Sequence, residues 1–211
     1  MNDNDITEFI PEEKSIKVCK SIRDNKDIRN VISLMGRETF RNNKEYATKF
    51  CETPTGNIAL TDVIMGKKES VNITDIRCKE KEKEIGFIHS HSPSGREHLL
   101  SARDISISGH NKHGVTCFTF YDEVRNNTLT RCFSIPENMQ KVFHNILDRY
   151  EKSEKIEERL RINMQLDAIE DFVMENFGEF ENRNFKCQYP IKDNGEIDKE
   201  YITVERFKKK T

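Results

Sequence analysis

The sequence predicts a mixed α/β protein, in which a mixed β-sheet is flanked by helices and followed by a helical and β-hairpin extension. Apolar residues recur at helical spacing near the N-terminus and again after Pro136. Between these regions lie short runs of β-branched and aromatic residues, which are typical of strands. Near the C-terminus, Asn194-Gly195 is the strongest short signal for a β-hairpin.

Changes in composition divide the chain into three parts. Residues 1–15 are polar and acidic, and we expect a flexible tail there. Residues 16–136 alternate between helical and strand patterns and form the predicted main domain. Residues 137–211 form the predicted extension, in which the amphipathic pattern of residues 137–178 indicates one or two long helices.

The first apolar pattern predicts one or two helices between residues 16 and 51. Pro54 and Gly56 then interrupt the helical spacing. The positions that carry the pattern are Ile22, Ile28, Val31, Ile32, Leu34, Met35, Phe40, Tyr46 and Phe50.

Short β-rich runs predict the strands that follow, with a helix over Leu99–Ser108 and a terminal hairpin over Phe185–Phe207. The strands Val115–Tyr121 and Leu129–Ile135 are expected to form a hairpin in which Cys117 and Cys132 face each other. The predicted strands are Ile58–Met65, Val71–Ile76, Ile85–His89, Val115–Tyr121 and Leu129–Ile135.

The composition argues against several classes of protein. Among 211 residues, 35 Lys and Arg stand against 37 Asp and Glu, a balance that does not favour a nucleic-acid binder. No apolar run approaches the ~20 residues of a membrane helix, and the N-terminal residues lack the basic-then-apolar layout of a secretory signal. Six scattered cysteines without a C-x-x-C pair predict reduced thiols in a cytoplasmic protein.

The residues that indicate chemistry lie between positions 85 and 104. His89 and His91 flank Ser90 on a predicted strand, so their side chains point to one face with Cα atoms roughly 6.5 Å apart. Asp104 follows in the first turn of a predicted helix. Two histidines and one carboxylate on zinc leave a fourth position for water, the pattern of a catalytic site. Ser101 and Asp104 are also typical of a capped helix N-terminus, and the two interpretations are compatible.

This segment resembles the JAMM metalloprotease motif of MPN domains, which consists of a glutamate, then H-[ST]-H, a proline and S-x-x-D. The strand Ile85–His89, continued to His91, is particularly similar to that of the family. The resemblance covers roughly residues 27–136 and implies the cytidine-deaminase-like MPN fold with Zn²⁺ as cofactor. Two departures are that Ser92 precedes the proline and that the interval before Ser101 is about two residues longer than usual.

The resemblance implies a role for each residue of the motif. His89, His91 and Asp104 would bind the zinc ion. Ser101 would stabilise the oxyanion of the tetrahedral intermediate, and an upstream glutamate would act as general base on the zinc-bound water.

Glu52 is the favoured glutamate, because it precedes Gly56 and the apolar run that begins at Ile58. Glu84 is nearer in sequence, but an uninterrupted strand would place it on the face opposite the histidines. Glu69, in a predicted turn, is a third candidate.

The function that the resemblance implies is a zinc metalloprotease or isopeptidase with deubiquitinase-like activity. Its partner would be a peptide or a ubiquitin-like protein, whose C-terminal tail adds as a strand beside the metal. Residues 137–178 offer a surface for a partner protein or a second copy of the chain. One alternative is a non-catalytic MPN-type scaffold, but members of that kind usually lack metal ligands and this chain has all three ligand types. The other is a RadC-like DNA-associated protein, which usually has Asn where this chain has Ser90.

Overall fold

Two N-terminal helices precede the sheet, and asparagine residues cap both ends of the second. A computed structural model describes residues 13–68, 70–73, 76–92, 115–134, 137–175 and 185–199. In it, α1 spans Glu13–Asp24 and α2 spans Lys26–Asn42. The Asn25 side chain accepts hydrogen bonds from the backbone N–H groups of Asp27 and Ile28, which fixes the start of α2. Asn43 ends it in the left-handed conformation, with φ of 52°.

Among the described residues, seven strands form one mixed sheet in the order β2-β1-β4-β5-β6-β7, with β3 also paired to β1. β4 and β5 pair in parallel, and the other described pairs are antiparallel. This arrangement confirms the predicted mixed α/β class. The strands are β1 (Tyr46–Glu52), β2 (Ile58–Leu60), β3 (Ile64–Met65), β4 (Lys83–Ser90), β5 (Val115–Asp122), β6 (Asn127–Ser134) and β7 (Phe185–Lys192).

The two faces of the sheet have different surroundings. One, the helix face, packs against α1 and α2 through Phe50, Ile88, Val115, Cys117 and Cys132. The other, the histidine face, carries Ala47, Phe87, His89, Phe118 and Phe133. Ile73 and Ile76 cover part of the histidine face by packing against Ala47 and Phe87.

Gly36 allows α2 to lie close to the sheet. A Cβ atom at this position would be 2.6 Å from Cγ2 of Thr128 on β6. The helix therefore approaches the strand more closely than any larger residue would permit.

The structure corrects two of the predicted elements. Tyr46 and Phe50 belong to β1 and not to a helix. This strand is buried on both faces along most of its length, so it lacks the alternation that marks a half-buried strand. Residues 71–73 and 76, the described parts of the predicted strand Val71–Ile76, are not in a strand. Ile73 and Ile76 are buried there as loop residues.

The C-terminal third contributes to the central sheet. After helices α3 (Glu137–Lys152) and α4 (Ile156–Glu175), β7 pairs antiparallel with β6 and buries Ile191 in the core. The predicted boundary at residue 136 therefore does not separate β7 from the sheet. The predicted Asn194-Gly195 turn is confirmed, since Ile197 bridges back to Ile191. Residues 1–12 of the predicted tail and the predicted helix Leu99–Ser108 lie outside the described residues, whereas residues 13–15 of that tail belong to α1.

All six cysteines form disulfides, so the prediction of reduced thiols was wrong. The pairs are Cys19–Cys187, Cys51–Cys78 and Cys117–Cys132, separated along the chain by 168, 27 and 15 residues. The expected approach of Cys117 to Cys132 is confirmed. The other two pairs bring together distant segments, and the spacing of cysteines in a sequence does not reveal such connectivity.

Among the described helices, none has both the length and the apolar character that crossing a bilayer requires.

Replacing Cys19 and Cys187 together by alanine is expected to lower the free energy of unfolding by about 2–5 kcal/mol. The reason is that the long loop that this disulfide closes would regain conformational entropy in the unfolded chain. Urea unfolding of the variant and the wild type, both without reductant, measures the difference. Equal stability, or free thiols at these two positions in the wild type, would contradict the prediction.

Candidate functional site

The two histidines of the H-S-H segment converge at the end of β4. Their side chains share the histidine face, with ring centroids 4.7 Å apart and the two Nε2 atoms 2.8 Å apart. His89 is buried, and His91 is half-buried. The two Nε2 atoms share a hydrogen bond, in which the donor depends on the tautomers, so both nitrogens meet at one location at the edge of the core.

Aromatic side chains hold both rings in place. Phe87, two residues before His89 on the same face, stacks on its ring at a centroid distance of 5.9 Å. Phe118 on β5 stacks on the ring of His91 at 4.8 Å and an interplanar angle of 15°. The backbone N–H of His91 also donates to the carbonyl of Thr119, which extends the pairing with β5 beyond the end of β4. The rings are thus fixed from both sides before any ligand binds.

Ser90 anchors the segment from the helix face. Its hydroxyl oxygen accepts a hydrogen bond from the Tyr46 backbone N–H at 2.8 Å and lies within 3.3 Å of the Tyr46 carbonyl. It also shares a hydrogen bond with the hydroxyl of Thr39 on α2. A serine between the histidines therefore ties β4 to both β1 and α2.

Glu52 lies at the other end of the sheet from the histidines. Ala47 is opposite His89, whereas Glu52 is opposite Lys83, five residues further along β1 and roughly 17 Å away. Its carboxylate pairs with Lys17 of α1 at 2.6 Å. The structure does not bring this residue to the histidines, so its position does not suit a general base.

Lys17 forms ion pairs with two carboxylates at the end of the sheet distant from the histidines. Its hydrogen bonds to Glu13 and then to Glu52 raise the pKa of the ammonium group above its usual value. The contact with Lys17 gives Glu52 a structural role, because it joins α1 to the end of β1.

The strand register places an acidic residue, Glu45, at the end of the sheet where the two histidines lie. It immediately precedes β1, two residues before Ala47, which places it level with His91 on the same face. Its backbone N–H donates to the carbonyl of Lys67, and its carbonyl accepts from the N–H of Gly66. These bonds fix the backbone of Glu45, and its side chain is half-buried.

A prediction of the helix end at Asn42–Asn43 would have identified Glu45. An asparagine is a common residue in the left-handed conformation that ends a helix. The apolar pattern predicts a helix through Phe50, and this prediction puts Glu45 inside a helix instead of directly before a strand.

A register shift changes the orientation of Glu84. Phe50 pairs with Gly86 but Cys51 pairs with Glu84, so Ile85 is an extra residue in β4. Glu84 consequently contacts Lys49 at 2.9 Å on the histidine face, and not on the opposite face as expected. Glu84 lies near the start of β4, at the same end of the sheet as Glu52, and like Glu52 it forms an ion pair with a lysine. Glu69 lies outside the described residues.

Ser101 and Asp104 also lie outside the described part of the chain. Of the predicted metal ligands, the structure therefore places His89 and His91 together, and the predicted third ligand and oxyanion donor stay predictions.

The geometry of the histidine pair fits a tetrahedral zinc site. Two nitrogens bound to one zinc ion at ideal angles lie about 3.3 Å apart. The observed Nε2 separation of 2.8 Å needs only a small opening of the two rings to reach that value. Neutral imidazole nitrogens are among the preferred ligands of zinc.

Compared with known proteins, the chain matches no family model and has no significant match among curated proteins.

Ser90→Ala is expected to lower the free energy of unfolding by about 1–3 kcal/mol, because the Tyr46 N–H and the Thr39 hydroxyl lose their common partner. Urea unfolding measures the loss. Thr39→Val and the double variant complete a cycle, in which the combined loss should be less than the sum of the two single losses. A loss of under about 0.5 kcal/mol, as found for ordinary surface substitutions, would show that Ser90 does not anchor the segment.

Proposed function

We propose that this chain is a zinc-dependent hydrolase of the JAMM type with an MPN fold. The observation that carries the proposal is the convergence of the His89 and His91 Nε2 atoms on the face that Glu45 shares. The proposed reaction is hydrolysis of a peptide or isopeptide bond at the C-terminus of a ubiquitin-like modifier.

His89 and His91 would bind the zinc ion through Nε2, with Asp104 as the third ligand. Zinc in such a site lowers the pKa of a bound water to about 7 and polarises the scissile carbonyl. The stacked Phe87 and Phe118 rings support this role, because they limit the movement of both imidazoles and so reduce the entropy lost on binding.

Glu45 replaces Glu52 as the proposed general base. Its carboxylate would accept a proton from the attacking water and deliver it to the leaving amine. The position at the start of β1 supports this assignment, since the two hydrogen bonds to residues 66 and 67 fix the backbone from which the side chain extends. Ser101 keeps its proposed role as donor to the oxyanion.

We propose the cytoplasm as the site of action, although the thiols whose reduced state favoured that compartment in the sequence form disulfides in the structure. In that compartment glutathione and thioredoxin keep most thiols reduced. The disulfide-bonded form would then be one of two redox states of the chain.

Glu45→Gln is expected to retain bound zinc but to lose at least about 10²-fold in turnover, because the amide cannot accept a proton from water. Glu52→Gln is the matched control, and it should keep most of the activity since its carboxylate pairs with Lys17 at the distant end of β1. Turnover of a cleavable fusion and zinc content are measured on the same preparations. Loss of activity in Glu52→Gln with full activity in Glu45→Gln would reverse the assignment.

The hydrolase proposal itself is tested by metal analysis and by a panel of ubiquitin-like fusions, with and without a chelator. We expect one zinc per chain in the wild type, cleavage of at least one fusion, and loss of both in Asp104→Ala and His89→Ala. A wild-type protein that purifies without stoichiometric zinc and cleaves no fusion after zinc is added would favour the non-catalytic scaffold.

A further inference from the structure

A second group of metal-ligating side chains lies at the end of the sheet opposite the histidines. Within the described ranges, one set of three such residues has its ligand atoms within 4.8 Å of one another, and it consists of Cys51, Cys78 and Glu82. Cys51 is four residues from Ala47 along β1, roughly 13 Å from the level of His89. The group is therefore separate from the proposed hydrolytic site.

We propose that this group binds a thiophilic divalent cation, Zn²⁺, when the Cys51–Cys78 disulfide is reduced. The two sulfurs would bind as thiolates and Glu82 would supply a carboxylate oxygen. This set leaves a fourth position for water or another donor.

The turn that follows Cys78 fixes the Glu82 carboxylate. The Glu82 backbone N–H donates to the Lys79 carbonyl at 3.0 Å, and the Lys79 N–H donates to Oε2 of Glu82 at 3.1 Å. Lys81 completes the turn with φ of 73°, a conformation that residues other than glycine rarely adopt. One carboxylate oxygen is thus held by the backbone, which leaves Oε1 for a metal ion.

The positions of the two cysteines suit a shared ion. Their Cα atoms are 5.8 Å apart, and Cys51 is fully buried while Cys78 and Glu82 are half-buried. Rotation of the side chains after reduction would let the sulfurs separate to about 3.8 Å, the distance expected in a tetrahedral zinc site. The site has one wall in the core and one side open to solvent, so an ion could enter.

A second carboxylate, that of Glu84, lies beside the group. Glu84 lies directly opposite Cys51 in the register of β1 and β4. One of its carboxylate oxygens accepts from Lys49, and the other, Oε1, is buried and has no hydrogen-bond partner among the described residues.

The metal site would form from the disulfide in two steps, reduction and then metal binding. A dithiol or two monothiols reduce the Cys51–Cys78 disulfide to two thiols and are themselves oxidised to a disulfide. Binding of one Zn²⁺ then releases the two thiol protons. The same residues would therefore form a covalent crosslink under oxidising conditions and a metal crosslink under reducing conditions.

Cobalt binding to the full chain tests the proposal, because only thiolate ligands give the charge-transfer absorption of Co²⁺ in the near ultraviolet. A histidine and carboxylate site does not contribute to this signal, so the result is independent of the hydrolase proposal. The wild type is titrated with Co²⁺ after reduction with a phosphine and, separately, in the oxidised form. We expect the absorption in the reduced protein alone, and its displacement by Zn²⁺.

Two variants identify the ligands. Cys78→Ala should abolish the absorption, whereas Glu82→Gln should keep it with affinity at least about tenfold weaker. Glu80→Gln, which removes the same charge from the same turn, is the matched control and should bind as the wild type does. Absence of the absorption in the reduced wild type would overturn the site. Equal affinity of Glu82→Gln and Glu80→Gln, or a full signal in Cys78→Ala from the other cysteines, would overturn it as well.

Discussion

The antiparallel register of β1 and β4 is the constraint on which the candidate site depends. The pairing of Ala47 with His89 decides which acidic residue is level with the histidines and which side chains lie on the same face of the sheet. Ser90 secures that register, since its hydroxyl contacts the backbone of Tyr46 and the side chain of Thr39. A slip by one residue would turn both imidazoles toward α2 and bury them among the apolar residues of the helix face.

Local signals accounted for most of what the sequence predicted correctly about the fold. The β5–β6 hairpin and the Asn194-Gly195 turn depend on a few neighbouring residues, and both are present in the structure. β1 was missed because a short strand buried on both faces has no alternating pattern. The addition of β7 to the sheet was missed because the pairing partner of a strand is a property of the whole chain, which no local pattern contains.

The same distinction applies to the sites. The convergence of His89 and His91 could be predicted, because two residues separated by one position on a strand share a face whatever the rest of the chain does. The choice between Glu45 and Glu52 could not, because it requires the register between two strands and the correct end of α2. The Cys51–Cys78–Glu82 group was likewise hidden, since a disulfide between β1 and a distant loop has no signature in the sequence.

The Cys19–Cys187 bond has a mechanical consequence. Tension applied to the two chain ends would pass through this covalent link from α1 directly to β7, and the strands between them would carry no load. The enclosed segment, whose two cysteines are 168 positions apart in the sequence and which spans roughly 600 Å when fully extended, would not lengthen the molecule until the bond is reduced. A pulled molecule would therefore extend only outside the disulfide, and the reductant would control how far it stretches.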